Sequence, residues 1–231
     1  MKLNDLTRSV LTLFEGPDLL PIMLKKFPKL NSIISKYVNP ESLKMIGRCS
    51  KGTAFSDGNI VIKITEDAGE ALAAANMINF HIPGYVKTYE VGKFSAEVPY
   101  QEIGDDEPIV TQYYVIIQDH LDTKLNSREK EILDLLGRYL SDKRINYPIN
   151  IKAVIDDVYI YGYKKEHMMY KSPTADGILT QILNIMNSLW RKRGIELGDV
   201  KDDNIGKDKD GKLTIFDPGL SKSPPVSVSV I

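Results

Sequence analysis

Residues 198–219 read GDVKDDNIGKDKDGKLTIFDPG and crowd Asp199, Lys201, Asn204 and Asp217 into one loop, strand and turn. A turn beginning at Asp199 exposes a carboxylate, an ammonium and an amide on one face. The Asp210-Gly211 pair then returns the chain as KLTIFD, so that Asp217 emerges beside them. Asn204 and Asp217 are oxygen donors of the kind Mg²⁺ takes when it keeps waters and substrate phosphates as its other ligands. Asp199 remains as a base able to orient a hydroxyl. Asp202, Asp203, Asp208 and Asp210 read as a solvated turn. A calcium-loop alignment fails because Gly206 occupies its first ligand position and Asp217 replaces its bidentate Glu.

Working outward, the residues before this segment fall into two halves. The first forty carry apolar side chains at helical spacing, at Leu3, Leu6, Val10, Leu13 and Phe14, then from Leu19 to Leu24, then at Leu30, Ile33, Ile34 and Tyr37. From Ser42 the pattern turns to short β-prone runs, SLKMIGR, TAFS and IVIKIT, with Asp57-Gly58 expected to supply positive-φ residues for a hairpin. DAGEALAAANMINF (67–80) reads as a helix that Pro83-Gly84 ends. YVKTYEVGKF and TQYYVIIQDHL complete five strands, separated by an acidic surface loop around Gly104 to Glu107. Asn126 with Glu129 predicts a capping box for a helix to about Leu140. Ser172-Pro173 starts a second helix that stops at Gly194 behind three basic residues. Lys143 to Tyr170 is tyrosine-rich and fits neither helix nor strand clearly, and the SKSPPVSVSVI end reads as a loose tail or edge strand.

The chain has 231 residues, 42% hydrophobic and 26% charged, and 30 basic side chains against 31 acidic ones leave a net charge of -1. That balance offers no general field for nucleic acid or an anionic membrane, so neither is an expected partner. Apolar runs fall short of the roughly 20 residues a membrane span needs, and Asp5 and Glu15 interrupt the start where a signal peptide is apolar. Cys49 has no internal disulfide partner, and His81, His120 and His167 lack metal-ligand spacing. A reducing cytoplasm is the expected home. Trp190, Tyr159 and Tyr161 read as core or rim aromatics.

The 198–219 segment resembles the catalytic and metal-binding loops of the protein kinase-like superfamily, where HRDxKxxN precedes DFG by about a dozen residues. The same slots here read LGDVKDDN and DPG. The resemblance implies roles: Asp199 the catalytic base, Lys201 the partner of the transferred phosphate, Asn204 and Asp217 the magnesium ligands. Upstream, IGRCSKGTAF resembles the glycine-rich loop, with Gly47, Cys49 and Gly52 in its three places, and VIKI resembles VAIK with Lys63 in the phosphate-pairing position. Glu70 is the expected partner of Lys63, with Glu66 as the alternative. The hinge meeting the adenine edge is expected within Gln118, Asp119, His120 and Leu121.

The implied fold is α+β and two-lobed: a helical extension over 1–41, a five-stranded antiparallel N-lobe over 42–122, and a reduced, mostly helical C-lobe over 123–231. ATP and Mg²⁺ are the implied cofactors. The abbreviated layout and DP in place of DF are most similar to the short serine/threonine kinases encoded by lytic bacteriophages, which implies a host protein as substrate and the host bacterial cytoplasm as location. Two departures weaken parts of this reading. Gly198 replaces the arginine that pairs with a phosphorylated activation loop, and few residues follow Asp217, so the usual peptide-docking platform is not expected. Two alternatives remain: a pseudokinase-like effector that binds a host protein without turnover, and a small-molecule kinase.

Overall fold

Strands form where β-branched and aromatic residues alternate, and in this chain three such runs come close enough in sequence to pair as a meander. The computed structural model describes residues 19–49, 52–98, 109–164, 171–197, 200–217, 220–222 and 229–230. The expected helix at Leu3 to Phe14 and the acidic loop at Gly104 to Glu107 lie outside the described residues, as do Asp199, Gly198 and Pro218. The strands are β1 (Lys44–Cys49), β2 (Gly52–Ser56), β3 (Ile60–Thr65), β4 (Thr88–Val98) and β5 (Ile109–Asp119). They are antiparallel in the order β1-β2-β3-β5-β4, and Ser229–Val230 adds a short parallel edge beside β4. The protein is therefore α+β, with a five-stranded antiparallel sheet. At the β2–β3 turn only Gly58 takes a positive φ, of 100°. Asp57 instead accepts the backbone N–H groups of Asn59 and Ile60, and the last β2–β3 pair is Ser56 with Val61.

Helices α1 (Leu19–Lys26) and α2 (Pro28–Ile34) lay Leu20, Met23, Leu30 and Ile34 on one face of the sheet. There they meet Phe55, Ile62, Ile64, Phe94, Ala96, Tyr113, Val115 and Ile117 in one core. The helical segment, expected as an extension, is thus part of the core of the unit that holds the sheet. Side chains alternate across a strand, so Lys63 faces away from Ile62 and Ile64, toward α3 (Ala68–Met77). Asp67 caps α3 by accepting from Gly69 and Glu70 N–H, and the helix buries Ala71, Ala73, Ala74, Ala75 and Met77.

The chain divides into two compact units, one of Met1–Ile78, Thr88–His120 and Ser227–Ile231, the other of Asn79–Lys87 and Leu121–Val226. The division falls at His120, and residues 79–87 belong to the second unit. Backbone bonds explain this: Val86 N–H donates to Ile215 O and Ile215 N–H to Gly84 O, each at 2.9 Å.

The second unit is built on α4 (Ser127–Asp142), α5 (Ile151–Lys164) and α6 (Pro173–Arg193). Both halves of the Asn126/Glu129 capping box form. Ser172 Oγ accepts from Ala175 N–H, and Gly194 closes α6 in the left-handed region at φ 64°. Short ladders complete the unit: β6 (Glu196–Leu197) with β9 (Leu220–Lys222), and β7 (Ile205–Lys207) with β8 (Leu213–Ile215).

Because Leu30 is fully buried between α2 and the sheet, Leu30→Ala is expected to lower stability by about 2–5 kcal/mol in urea unfolding. A loss under about 0.5 kcal/mol would mean that the helices rest on the sheet without sharing its core.

Candidate functional site

Within the sheet-bearing unit, β3 and α3 bring Lys63 and Glu70 together. Lys63 Nζ makes an ion pair with Glu70 Oε1, and the side chains keep only 15% and 12% of their surface exposed. Capping decides which acid takes part. With Asp67 as N-cap, Glu70 stands in the first turn, whereas Glu66 precedes the cap and keeps one buried oxygen without a hydrogen-bond partner among the described residues. Asp67 N–H donates to Thr65 Oγ1 at 3.1 Å, which tightens the two-residue link from strand to helix.

The glycine positions differ in kind. Gly47 pairs with Ala54, and a side chain there would meet nothing within 4 Å. At Gly52 an added Cβ would lie 2.7 Å from the Ile64 carbonyl oxygen, so the sheet itself demands glycine. Cys49 ends β1 opposite Gly52.

The expected hinge residues end β5. Gln118 is buried and pairs with both Val61 and Thr88. Asp119 Oδ1 accepts the Tyr89 hydroxyl at 2.6 Å. His120 gives its backbone N–H to Asn59 O at 2.8 Å, so that donor is already in use. Its Nδ1 lies 2.6 Å from Ser56 Oγ, which also donates to Ile60 O and accepts from Gly58 N–H. The full use of that hydroxyl's proton makes Nδ1 the donor.

In the second unit, the β7–β8 ladder gathers the magnesium candidates. Phe216 N–H donates to Asn204 O at 3.0 Å, so Asn204 before β7 and Asp217 after β8 emerge at the same end of the hairpin. Asn204 N–H in turn donates to Lys201 O at 3.0 Å, closing a single 3₁₀ turn over Asp202–Asn204. Lys201 is exposed, while Asn204 and Asp217 are half-buried. An amide and a carboxylate oxygen at one hairpin end are a donor set that fits Mg²⁺ shared with phosphates. Asp208 Oδ1 accepts from Asp210 and Lys212 N–H and shapes the turn. Asp199, the expected base, lies outside the described residues.

Three supporting features escaped the sequence reading. Lys207 pairs with Glu129 Oε2 at 2.9 Å, the same oxygen that closes the capping box of α4. An added Cβ at Gly137 would lie 2.6 Å from Val200 O, so α4 approaches the loop closely. Tyr89 is the extra residue of a β-bulge, since Thr88 pairs with Gln118 and Glu90 with Ile117. Gly137, a glycine within an apolar helix face, was the readable signal; the other two depend on contacts distant in sequence.

No family model matches the chain, and no curated protein matches it. Among solved structures it is similar to a thermostable mutant of aminoglycoside phosphotransferase APH(4)-Ia in ternary complex with AMP-PNP and hygromycin B, with a TM-score of 0.35 and 11% identity. That alignment covers 82% of this chain and 70% of the other. A second mutant, with ADP and hygromycin B, gives 0.34 and 10%, over 87% and 71%. Likeness at this level carries no argument about function. No helix among the described residues is long and apolar enough to cross a membrane.

Two outcomes test the geometry. Glu70→Ala leaves the largely buried Lys63 ammonium without that counter-charge, with an expected loss of about 1–3 kcal/mol in thermal or urea unfolding. Lys63→Met combined with Glu70→Met should recover part of it, and strict additivity in that double-mutant cycle would contradict the pair. Burial, then the hydrogen bond to Asp119, pushes the Tyr89 hydroxyl up from 10.0 to about 12. Burial and Asp176 do the same for Tyr159. Folding thus favours the protonated phenols, so their contribution is whole below pH 10 and is lost as pH rises toward 12. Stability should fall across that window, and the fall should be shallower in Tyr89→Phe with Tyr159→Phe.

Proposed function

We propose that this chain is a protein kinase-like phosphotransferase, moving the γ-phosphoryl group of ATP, with Mg²⁺, to a serine or threonine hydroxyl of a protein. The phage-encoded kinases are the pattern for this reading. The observation that carries it is the Lys63–Glu70 pair. A lysine from the third strand, held by an acid in the first turn of the next helix, is a feature the kinase resemblance requires and ordinary sheet packing does not. The Asn204/Asp217 hairpin end supports it from the other unit.

Phosphoryl transfer asks the protein for positioning and electrostatics more than covalent chemistry. Asn204 and Asp217 would hold the metal, which would supply positive charge against the nucleotide's phosphate oxygens. Glu70 fixes the Lys63 ammonium as a donor to phosphate. Lys201 contacts the group in transfer, and Asp199 accepts the acceptor hydroxyl's proton. Gly47, Cys49 and Gly52 mark the loop that covers the phosphates, with the Cβ of Cys49 narrowing the backbone's approach there, and Gln118, Asp119 and His120 border the adenine. Gly198-Asp199 is the form of the loop that small-molecule kinases share, which makes a small hydroxylated acceptor the second reading.

Incubation with γ-labelled ATP and Mg²⁺, followed by mass spectrometry, tests the proposal. Label on a Ser or Thr of the chain or of an added protein is expected. Asp199→Ala and Asp217→Ala should each reduce it at least about 10²-fold while the protein stays folded. Label retained in both variants, or no thermal shift of the wild type with ATP and Mg²⁺, would overturn the reading; label only on a small acceptor would select the second.

A further inference from the structure

The hinge of this chain is tied to its N-terminal helices by a route that the reaction itself does not call for. Just past the end of α2, Tyr37 donates its hydroxyl to Glu90 Oε2 at 2.9 Å, and Lys36 Nζ lies 3.4 Å from the same carboxylate. Glu90 comes directly after the bulged residue Tyr89 on β4. The rings of Tyr37 and Tyr89 lie 5.6 Å apart and tilted by 46°. Tyr89 then donates to Asp119, in the middle of the expected hinge, at 2.6 Å.

The bulge makes this path possible. Strict alternation would send Tyr89 and Glu90 to opposite faces, whereas two residues set against one on β5 turn both toward Tyr37. A bulge leaves a residue unpaired in the ladder, and here that residue spends its side chain on the Asp119 carboxylate. A carboxylate at the end of a strand has several rotamers open to it, and a phenol at 2.6 Å selects one.

We infer that Tyr89 is a positioning residue for nucleotide binding: through it, Tyr37 and Glu90 hold Asp119 and the hinge backbone in their binding arrangement. The consequence for ATP rests on the proposed nucleotide reading; the mechanical tie does not. Tyr89 touches no reacting atom. It acts by reducing the number of hinge conformations among which a nucleotide must select, and so favours binding without changing the chemical step. The helical segment from α1 to Tyr37 then sets affinity for ATP as well as filling the core.

Tyr89→Phe keeps the ring and removes the bond. In the nucleotide-free protein, amide hydrogen exchange at Gln118 to Leu121 should quicken about 3- to 10-fold, with a smaller change in Glu90→Gln. In turnover the KM for ATP should rise by a similar factor with kcat within about twofold. Tyr114→Phe, which removes an exposed bond to Gln112 on the same strand, should change neither. Unchanged exchange at the hinge in a folded Tyr89→Phe would overturn the inference, as would a Tyr89→Phe effect confined to melting temperature. If exchange quickens but the wild type binds no ATP, the tie to the hinge stands and the proposed function is what fails.

Discussion

A lysine set in the inner row of a sheet must have a counter-charge, because an ammonium stripped of water costs several kcal/mol unless an anion replaces it. In this chain that requirement fixes how strand and helix meet. Lys63 alternates away from the apolar face that Ile62 and Ile64 present to α1 and α2. Glu70 must then arrive from a helix starting within a few residues of the strand's end. Asp67 starts it there as N-cap, and Thr65 Oγ1 secures the link. The run of alanines on α3 lets the helix lie close enough for a glutamate to reach. Larger side chains at Ala71, Ala74 or Ala75, all buried, would lift it off the sheet.

Close approach plays the corresponding part in the second unit. At Gly206 an added Cβ would lie 2.8 Å from Leu121 Cβ and 3.1 Å from Asp122 O, and Asp122 and Lys207 exchange two backbone hydrogen bonds. Gly137 gives Val200 the same room against α4. The hairpin that ends in Asn204 and Asp217 is therefore pinned along β7, while the Lys207–Glu129 pair ties it to the first turn of α4. Rigid support of this sort is what the proposed two-oxygen metal site would need, since such a site has too few protein ligands to organise itself.

How much the sequence revealed depends on the range of the forces involved. The Asn126/Glu129 box, the Ser172 cap and the Gly194 stop are local hydrogen-bonding patterns, and each was legible. So were the five strands and the helix after β3, whereas the partner of Lys63 stayed open between Glu70 and Glu66 until the Asp67 cap set the helix register. The helix over Ile151–Lys164 was obscured, although Ile151, Val154, Ile155 and Val158 keep helical spacing and Asn150 Oδ1 accepts from Ala153 N–H. Tyr159, Tyr161 and Tyr163 left the segment ambiguous, and burial of Val154, Ile155 and Val158 decides for the helix. Nonlocal pairings were out of reach. Nothing near residues 79–87 shows that Ile215 will claim their backbone, and nothing near Tyr37 shows that its hydroxyl will reach Glu90.

Charge explains why the proposed chemistry needs a dication at all. Lys63 is already neutralised by Glu70, so the pair supplies a fixed donor geometry and almost no net positive charge. Lys201 contributes one positive charge and Asp217 one negative, and Asp199 adds another negative, leaving the proposed machinery slightly anionic. The whole chain, at -1, adds no attractive field. A polyphosphate carrying several negative charges gains little by binding such a set alone. Under the proposed reading a nucleotide arriving with Mg²⁺ would bring the missing charge with it, and the half-buried Asp217 carboxylate, with the neutral Asn204 amide beside it, would be a ligand in place of a source of repulsion.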